Sequence, residues 1–146
     1  MLDDDLTLSN GLAWSSDGSR MYSVDTLRRT VFVREHDHDR RVHLTIDVGH
    51  PDGIAVDEED HLWVALWGAG AVQRYDPDGI LVDRIDVPAL HTSAVAFAGD
   101  DLRTLVVTTA YDQLTDEQRQ AHPDSGRLFT TSVGVAGLPP TAWRKT

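Results

Sequence analysis

A five-residue pattern that occurs three times constrains this chain more than any other feature of its sequence. Its copies begin at residues 10, 52 and 93, so they are separated by 42 and 41 residues. Internal repeats of roughly 40–45 residues are typical of β-propeller blades, each of which is a small four-stranded sheet. The copies are Asn10-Gly11-Leu12-Ala13-Trp14, Asp52-Gly53-Ile54-Ala55-Val56 and Ser93-Ala94-Val95-Ala96-Phe97. The repeat therefore predicts an all-β fold made of propeller blades.

Each copy is followed by a similar order of turns and strands. An acidic or glycine-containing turn follows each pentad, and the segments after it are rich in Val, Thr, Tyr and Trp, which is typical of strands. The exception is 114–120, which predicts a short surface helix with Thr115 or Asp116 as its N-cap, and 138–141 is expected to be irregular. The predicted strands are 12–14, 21–24, 30–34, 41–46, 54–56, 62–65, 71–75, 80–87, 95–97, 104–108 and 126–131.

The length of the chain limits how much of a propeller it can form. A closed ring needs roughly 4 to 8 blades, whereas 146 residues provide about three to three and a half blades at the period of this repeat. We therefore expect residues 1–146 to form a single partial β-propeller domain with blade repeats starting near residues 10, 52 and 93. The strand edges of an open ring favour pairing with another chain.

Composition excludes several classes of function. The net charge is −11, from 24 acidic and 13 basic residues, which argues against binding nucleic acid. The chain has no cysteine, so thiol catalysis and cysteine-based zinc sites are excluded. No apolar run approaches the roughly 18 residues of a membrane helix, and the N-terminus lacks the pattern of a signal peptide. We expect a cytoplasmic protein that binds neither nucleic acid nor membranes.

The polar residue that opens each pentad marks the candidate site. The innermost strands of propeller blades line a central channel, so Asn10, Asp52 and Ser93 are expected to converge near one mouth of it. Amide and carboxylate oxygens are ligands that hard cations prefer. Asn-Gly and Asp-Gly are also common tight-turn dipeptides, so spacing alone leaves a turn role and a binding role equally open.

Four further residues are candidates for contact with a substrate. His50 and His91 each come shortly before the polar residue of a pentad, Trp67 adjoins a glycine, and Tyr111 follows the end of a strand. Each could line a pocket at the channel mouth. For each the alternative is a capping, packing or solvated role.

Seven segments of the chain, taken in order, resemble one known family. They include Ser-Asn-Gly at 9–11, Pro-Asp-Gly at 51–53 and Arg-Tyr-Asp-Pro-Asp-Gly at 74–79. The full set covers 9–15, 51–57, 62–68, 74–79, 92–99, 105–110 and 123–129. On these motifs the chain resembles the SMP-30/gluconolactonase/regucalcin family of six-bladed propellers, and it corresponds to the C-terminal half of such a protein.

The resemblance implies a lactonase that uses one divalent metal ion, Ca²⁺ or Zn²⁺, to hydrolyse a sugar lactone to an aldonic acid. The family holds its metal with an N-terminal glutamate, the asparagine of Ser-Asn-Gly and the aspartate of Pro-Asp-Gly. Asn10 and Asp52 match the last two, and Asp52 is also the implied general base. The glutamate and further substrate contacts correspond to positions before Met1. We therefore expect the chain alone to bind metal weakly and to hydrolyse lactones slowly or not at all.

Three interpretations follow from that resemblance. The chain could act as a lactonase once a second copy or a missing N-terminal half completes the ring. It could instead be a non-catalytic truncated propeller that binds calcium weakly or binds a protein through its open edge. It could also be a reading frame cut short, without an independent function. Asp3, Asp4 or Asp5 could replace the missing glutamate, although we favour a solvated start of a strand for these three residues.

Overall fold

Three propeller blades make up the computed structural model, which describes residues 2–140. The first blade is a four-stranded antiparallel sheet in the order β1-β2-β3-β4. Its strands are β1 (Ser9–Trp14), β2 (Arg20–Asp25), β3 (Thr30–Glu35) and β4 (Arg41–Thr45). The second blade repeats this order with β5 (His50–Val56), β6 (Leu62–Trp67), β7 (Ala71–Tyr75) and β8 (Leu81–Asp86). The predicted all-β partial propeller is confirmed.

Within residues 2–140 the third blade has three strands, β9 (His91–Ala98), β10 (Thr104–Ala110) and β11 (Leu128–Ser132). A helix, α1 (Asp116–Ala121), lies between β10 and β11. Thr115 is its N-cap, because its side chain accepts a hydrogen bond from the backbone N–H of Gln118 and the Gln118 side chain bonds back to Thr115. No helix in the described part of the chain is long and apolar enough to cross a membrane.

The core consists of two apolar layers, one on each side of the second blade. Strand β6 contributes to both, since alternate side chains point to opposite faces of a strand. Leu62, Val64 and Leu66 pack against the first blade, whereas Trp63 and Ala65 pack against the third. A strand buried on both faces has a continuous apolar sequence, which explains why 62–67 has no polar alternation.

Each pentad lies wholly inside an innermost strand, whereas the predicted inner strands begin two residues into it, at 12, 54 and 95. Their glycines do not form turns either, since neither Gly11 nor Gly53 has a positive φ. A Cβ atom on Gly11 would collide with the carbonyl oxygen of Asp52, and one on Gly53 would lie 2.8 Å from that of Ser93. Glycine is needed because neighbouring inner strands approach closely, so the tight-turn interpretation is wrong.

Candidate functional site

Each inner strand has an irregular register where its pentad begins. The shift falls between Ser9 and Leu12 in β1, between Pro51 and Ile54 in β5, and opposite Thr108 and Thr109 in β9. In β1 and β5 two residues face one residue of the partner strand, which is the arrangement of a β-bulge. Bulges redirect side chains and often adjoin functional sites. All three bulges contain the polar residue of a pentad, namely Asn10, Asp52 or Ser93.

Asn10 and Asp52 meet across the junction of the first and second blades. The side-chain amide of Asn10 lies beside the carboxyl of Asp52, and its Nδ2 donates a hydrogen bond to Oγ1 of Thr26 at 3.2 Å. Burial raises the pKa of Asp52 above its ordinary value, and the hydrogen bond to Asn10 offsets part of that rise. The structure therefore places a half-buried carboxyl beside an amide.

A cavity of about 370 Å³ opens beside this pair. Its volume lies in the range of about 300–1,000 Å³ that is common for small-molecule sites. The lining residues are Leu8, Asn10, Thr26, Leu27, His50, Asp52, Trp67 and Gln113. Four of the candidate residues from the sequence therefore line this cavity, namely Asn10, Asp52, His50 and Trp67.

His91 and Ser93 lie close to the cavity, but each already contacts a neighbouring side chain. The His91 imidazole stacks on the Trp67 indole with ring centroids 4.2 Å apart and an angle of 8° between the planes. The Ser93 hydroxyl lies 2.7 Å from that of Thr108, which belongs to the same blade. The third pentad therefore does not contribute an oxygen to the Asn10–Asp52 pair in the way the first two do.

Tyr111 is not among the residues that line the cavity. Its side chain is 48% exposed, and the guanidinium of Arg119 lies over its ring at 4.8 Å. The structure therefore places Tyr111 against the helix α1. Gln113, two residues further on, lines the cavity instead and has a φ of 61°.

Sequence reasoning missed four lining residues, and the repeat held a signal for one of them. Strand pairing matches Ser9 with Asp25 in the first blade and Pro51 with Leu66 in the second. The residues that follow, Thr26 and Trp67, are therefore equivalent. Because Trp67 was already a candidate for substrate contact, aligning the first two blades strand by strand would have added Thr26 as a candidate. Nothing in the sequence singled out Leu8, Leu27 or Gln113, because their positions depend on how loops fold over the cavity.

Two of the N-terminal aspartates pair with arginines of the first blade. Asp3 is largely buried, and its carboxylate lies 2.7 Å from the guanidinium groups of both Arg34 and Arg40. Asp5 lies 2.5 Å from Arg40. A solvated role is therefore wrong for Asp3, and neither residue belongs to the cavity lining. In residues 2–140 no group of three or more His, Cys, Asp or Glu side chains is placed to hold a metal ion.

Comparison with known proteins gives a consistent family assignment. The family model described as the SMP-30/Gluconolactonase/LRE-like region matches residues 1–111. Regucalcin of Xenopus laevis is 35% identical over 150 residues, covering 96% of this chain and 50% of the relative. L-arabinolactonase of Azospirillum brasilense is 36% identical over 138 residues, covering 90% of this chain and 45% of the relative.

Solved structures agree with this assignment. A calcium-binding protein, regucalcin, from Agrobacterium tumefaciens superimposes with a TM-score of 0.92 and 34% identity. That match covers 99% of this chain and 52% of the other. The chain spans about half the length of the curated relatives it matches.

Proposed function

Because the chain belongs to the SMP-30/gluconolactonase/LRE-like family, we propose that it carries part of the active site of a metal-dependent lactone hydrolase. The observation that carries this proposal is the Asn10–Asp52 contact between two blades at the wall of a cavity. Relatives named as lactonases support the class of reaction. The substrate class we propose is a sugar lactone, hydrolysed to the aldonic acid.

The donor set of this pair suits a divalent cation. Asn10 and Asp52 would hold it through an amide and a carboxylate oxygen, and an all-oxygen set favours Ca²⁺ over Zn²⁺. When bound, such an ion polarises a carbonyl oxygen and lowers the pKa of a bound water. Calcium takes about 6–8 oxygen ligands, so two side chains hold it weakly unless water, substrate or further protein groups complete the shell.

Asp52 is the residue that we expect to move a proton. Its carboxylate accepts the proton of the attacking water, which is the task of a general base within hydrogen-bond reach. Asn10 is neutral, so its amide orients the carboxylate without cancelling positive charge at the site.

Substitution of Asp52 tests the proposal directly. The experiment measures Ca²⁺ binding by calorimetry and hydrolysis of L-arabinono-1,4-lactone and D-glucono-1,5-lactone by acid release. Asp52→Asn is expected to weaken calcium binding at least tenfold and to reduce the calcium-dependent rate on the order of 100-fold. Ser93→Ala is the matched control, since Ser93 opens the third pentad and its hydroxyl is paired with Thr108. Unchanged binding and hydrolysis in Asp52→Asn would contradict the proposal.

Calcium binding without hydrolysis is the second candidate function. It is favoured by the small number of ligands, since no group of three or more His, Cys, Asp or Glu side chains in residues 2–140 is placed to hold a metal ion. This candidate predicts that Asp52→Asn abolishes calcium binding while the chain never exceeds the uncatalysed rate with either lactone. The same two measurements therefore separate the two functions.

A further inference from the structure

Trp67 forms part of the cavity wall and is backed by a second ring. Its indole lines the same cavity as Asp52, and one of its faces is covered by the parallel imidazole of His91. His91 is only 7% exposed. The surface that the indole can offer to a ligand is therefore its other face and its edges.

The backbone beneath this indole is held firmly. Trp67 and His91 are bridge partners that join the second and third blades. Next to them, Oγ1 of the fully buried Thr92 accepts a hydrogen bond from the N–H of Leu66 at 3.0 Å and lies 2.8 Å from the carbonyl oxygens of Leu66 and Ala71. An aromatic ring fixed in this way loses little conformational freedom when a ligand binds.

The equivalent histidine at the other blade junction is held differently from His91. His50 occupies the equivalent position, and its Nδ1 lies 3.1 Å from the carbonyl oxygen of Thr26. For His91, no group in residues 2–140 hydrogen-bonds the buried Nδ1. An unpaired buried polar atom is destabilising, so an apolar residue would serve packing better. Thr26 is the equivalent of Trp67 at the junction of the first and second blades. Of these two junctions, the stacked pair of aromatic rings is therefore present only between the second and third blades.

We propose that Trp67, held by His91, is the platform on which the C–H face of the substrate ring stacks. This inference rests on the proposed function and narrows its substrate class to lactones whose ring carries hydroxyls at its rim and C–H bonds on one face. The electron-rich face of an indole attracts the weakly positive hydrogens of such a ring. His91 is a positioning residue, because it acts through the indole.

The probe for this platform is D-glucono-1,5-lactam, which keeps the ring and its hydroxyls but does not hydrolyse readily. Titration into the full chain is followed by the ¹H–¹⁵N resonances of the tryptophan indoles. The Trp67 resonance is expected to shift, whereas that of Trp63 is not, since Trp63 is buried and its Nε1 donates to Asp57 at 2.8 Å. Trp67→Phe assigns the Trp67 signal.

Four variants extend the test to affinity. Trp67→Thr, which copies the first blade, is expected to raise the Kd for the lactam about tenfold, and Tyr111→Ala, an exposed aromatic outside the cavity, leaves it unchanged. His91→Ala raises the Kd severalfold and broadens the Trp67 signal of the free protein, whereas His91→Phe restores both because it keeps the stacked ring.

Two results would overturn the platform. One is equal lactam affinity in the wild-type chain and in Trp67→Thr, and the other is a wild-type titration in which the Trp67 resonance does not move. The second readout needs no variant, so misfolding of Trp67→Thr cannot mask the answer. Failure of the proposed function would give a different result, namely that Asp52→Asn leaves calcium binding and lactone hydrolysis unchanged.

Discussion

Asp25 shows how a single carboxylate shapes one side of the cavity. Its side chain is fully buried, and it accepts hydrogen bonds from the backbone N–H groups of Thr7 at 2.7 Å and Leu8 at 3.1 Å. Leu8 lines the cavity, and so does Thr26, which follows Asp25 in the chain. Burial raises the pKa of Asp25, but hydrogen bonds from Thr7, Leu8 and Arg28 outweigh it, so the pKa is lowered overall.

Asp25→Asn is therefore expected to destabilise the fold by about 2 kcal/mol, because an amide N–H group replaces an acceptor that faces two N–H donors. A carboxyl with a lowered folded-state pKa stabilises the fold above its unfolded pKa of about 3.9, and this contribution disappears as pH falls through the folded value. Urea unfolding should show a constant difference from wild type above about pH 5 that shrinks below pH 4. Asp37→Asn, at an exposed turn residue, is the control, and an equal difference at every pH would contradict this account.

At the scale of elements, the inner strands are placed by glycine. Strand β5 fits against β9 because Gly53 lacks a side chain, since a Cβ there would lie 2.7 Å from Cβ of Ala94. The same relation between Gly11 and Asp52 brings β1 against β5. Contact between Asn10 and Asp52 depends on this spacing, so the glycines contribute to the site although they touch no ligand.

Gly53→Ala is expected to lower the free energy of unfolding by about 1–3 kcal/mol, the usual effect of overpacking. It should also weaken calcium binding, since β5 carries Asp52. Gly134→Ala is the matched control, because that glycine has no positive φ and a Cβ there would meet no atom within 4 Å. Equal stability of the two variants in denaturant titration would show that the inner strands can move apart freely.

At the scale of the whole molecule, the first blade exposes an apolar face. The equivalent face of the second blade is buried. Ile54 and Val56 of the second pentad are 8% and 6% exposed, because they pack on the first blade. Their equivalents in the first pentad, Leu12 and Trp14, are 51% and 49% exposed. The repeat thus indicates that this face suits the surface of another blade, and we propose a second copy of the chain as its occupant.

Light scattering after size exclusion, with calcium present, tests this proposal. We expect a compact species of twice 16.1 kDa. Trp14→Glu should shift it to a monomer, because a charge would be buried against an apolar surface. Ile80→Glu should not, since Ile80 is exposed just before β8 of the second blade. A wild-type monomer at micromolar concentration would exclude the second copy as the occupant.

The predicted fold was accurate where a local sequence pattern is strong. Strand 62–65 and helix 114–120 are found as β6 and as α1 at Asp116–Ala121, and Thr115 is the N-cap of the two that the sequence offered. The first two residues of the first two pentads were left outside the predicted strands because Asn-Gly and Asp-Gly in a bulge look like turn dipeptides in sequence. The bonding of Asp3 to Arg34 and Arg40 was not predicted, since it joins residues that are more than 30 positions apart in the chain.

The sequence by itself determined the blades, their order and the nearness of Asn10 and Asp52 to inner strands. Periodic apolar residues and turn signals act over a few neighbours, so they can be interpreted without knowing the fold. Only the tertiary structure decided that Asn10 touches Asp52, that Gln113 lines the cavity and Tyr111 does not, and that His91 stacks on Trp67. Those contacts depend on how whole blades pack, and that packing is set by close approaches between distant parts of the chain.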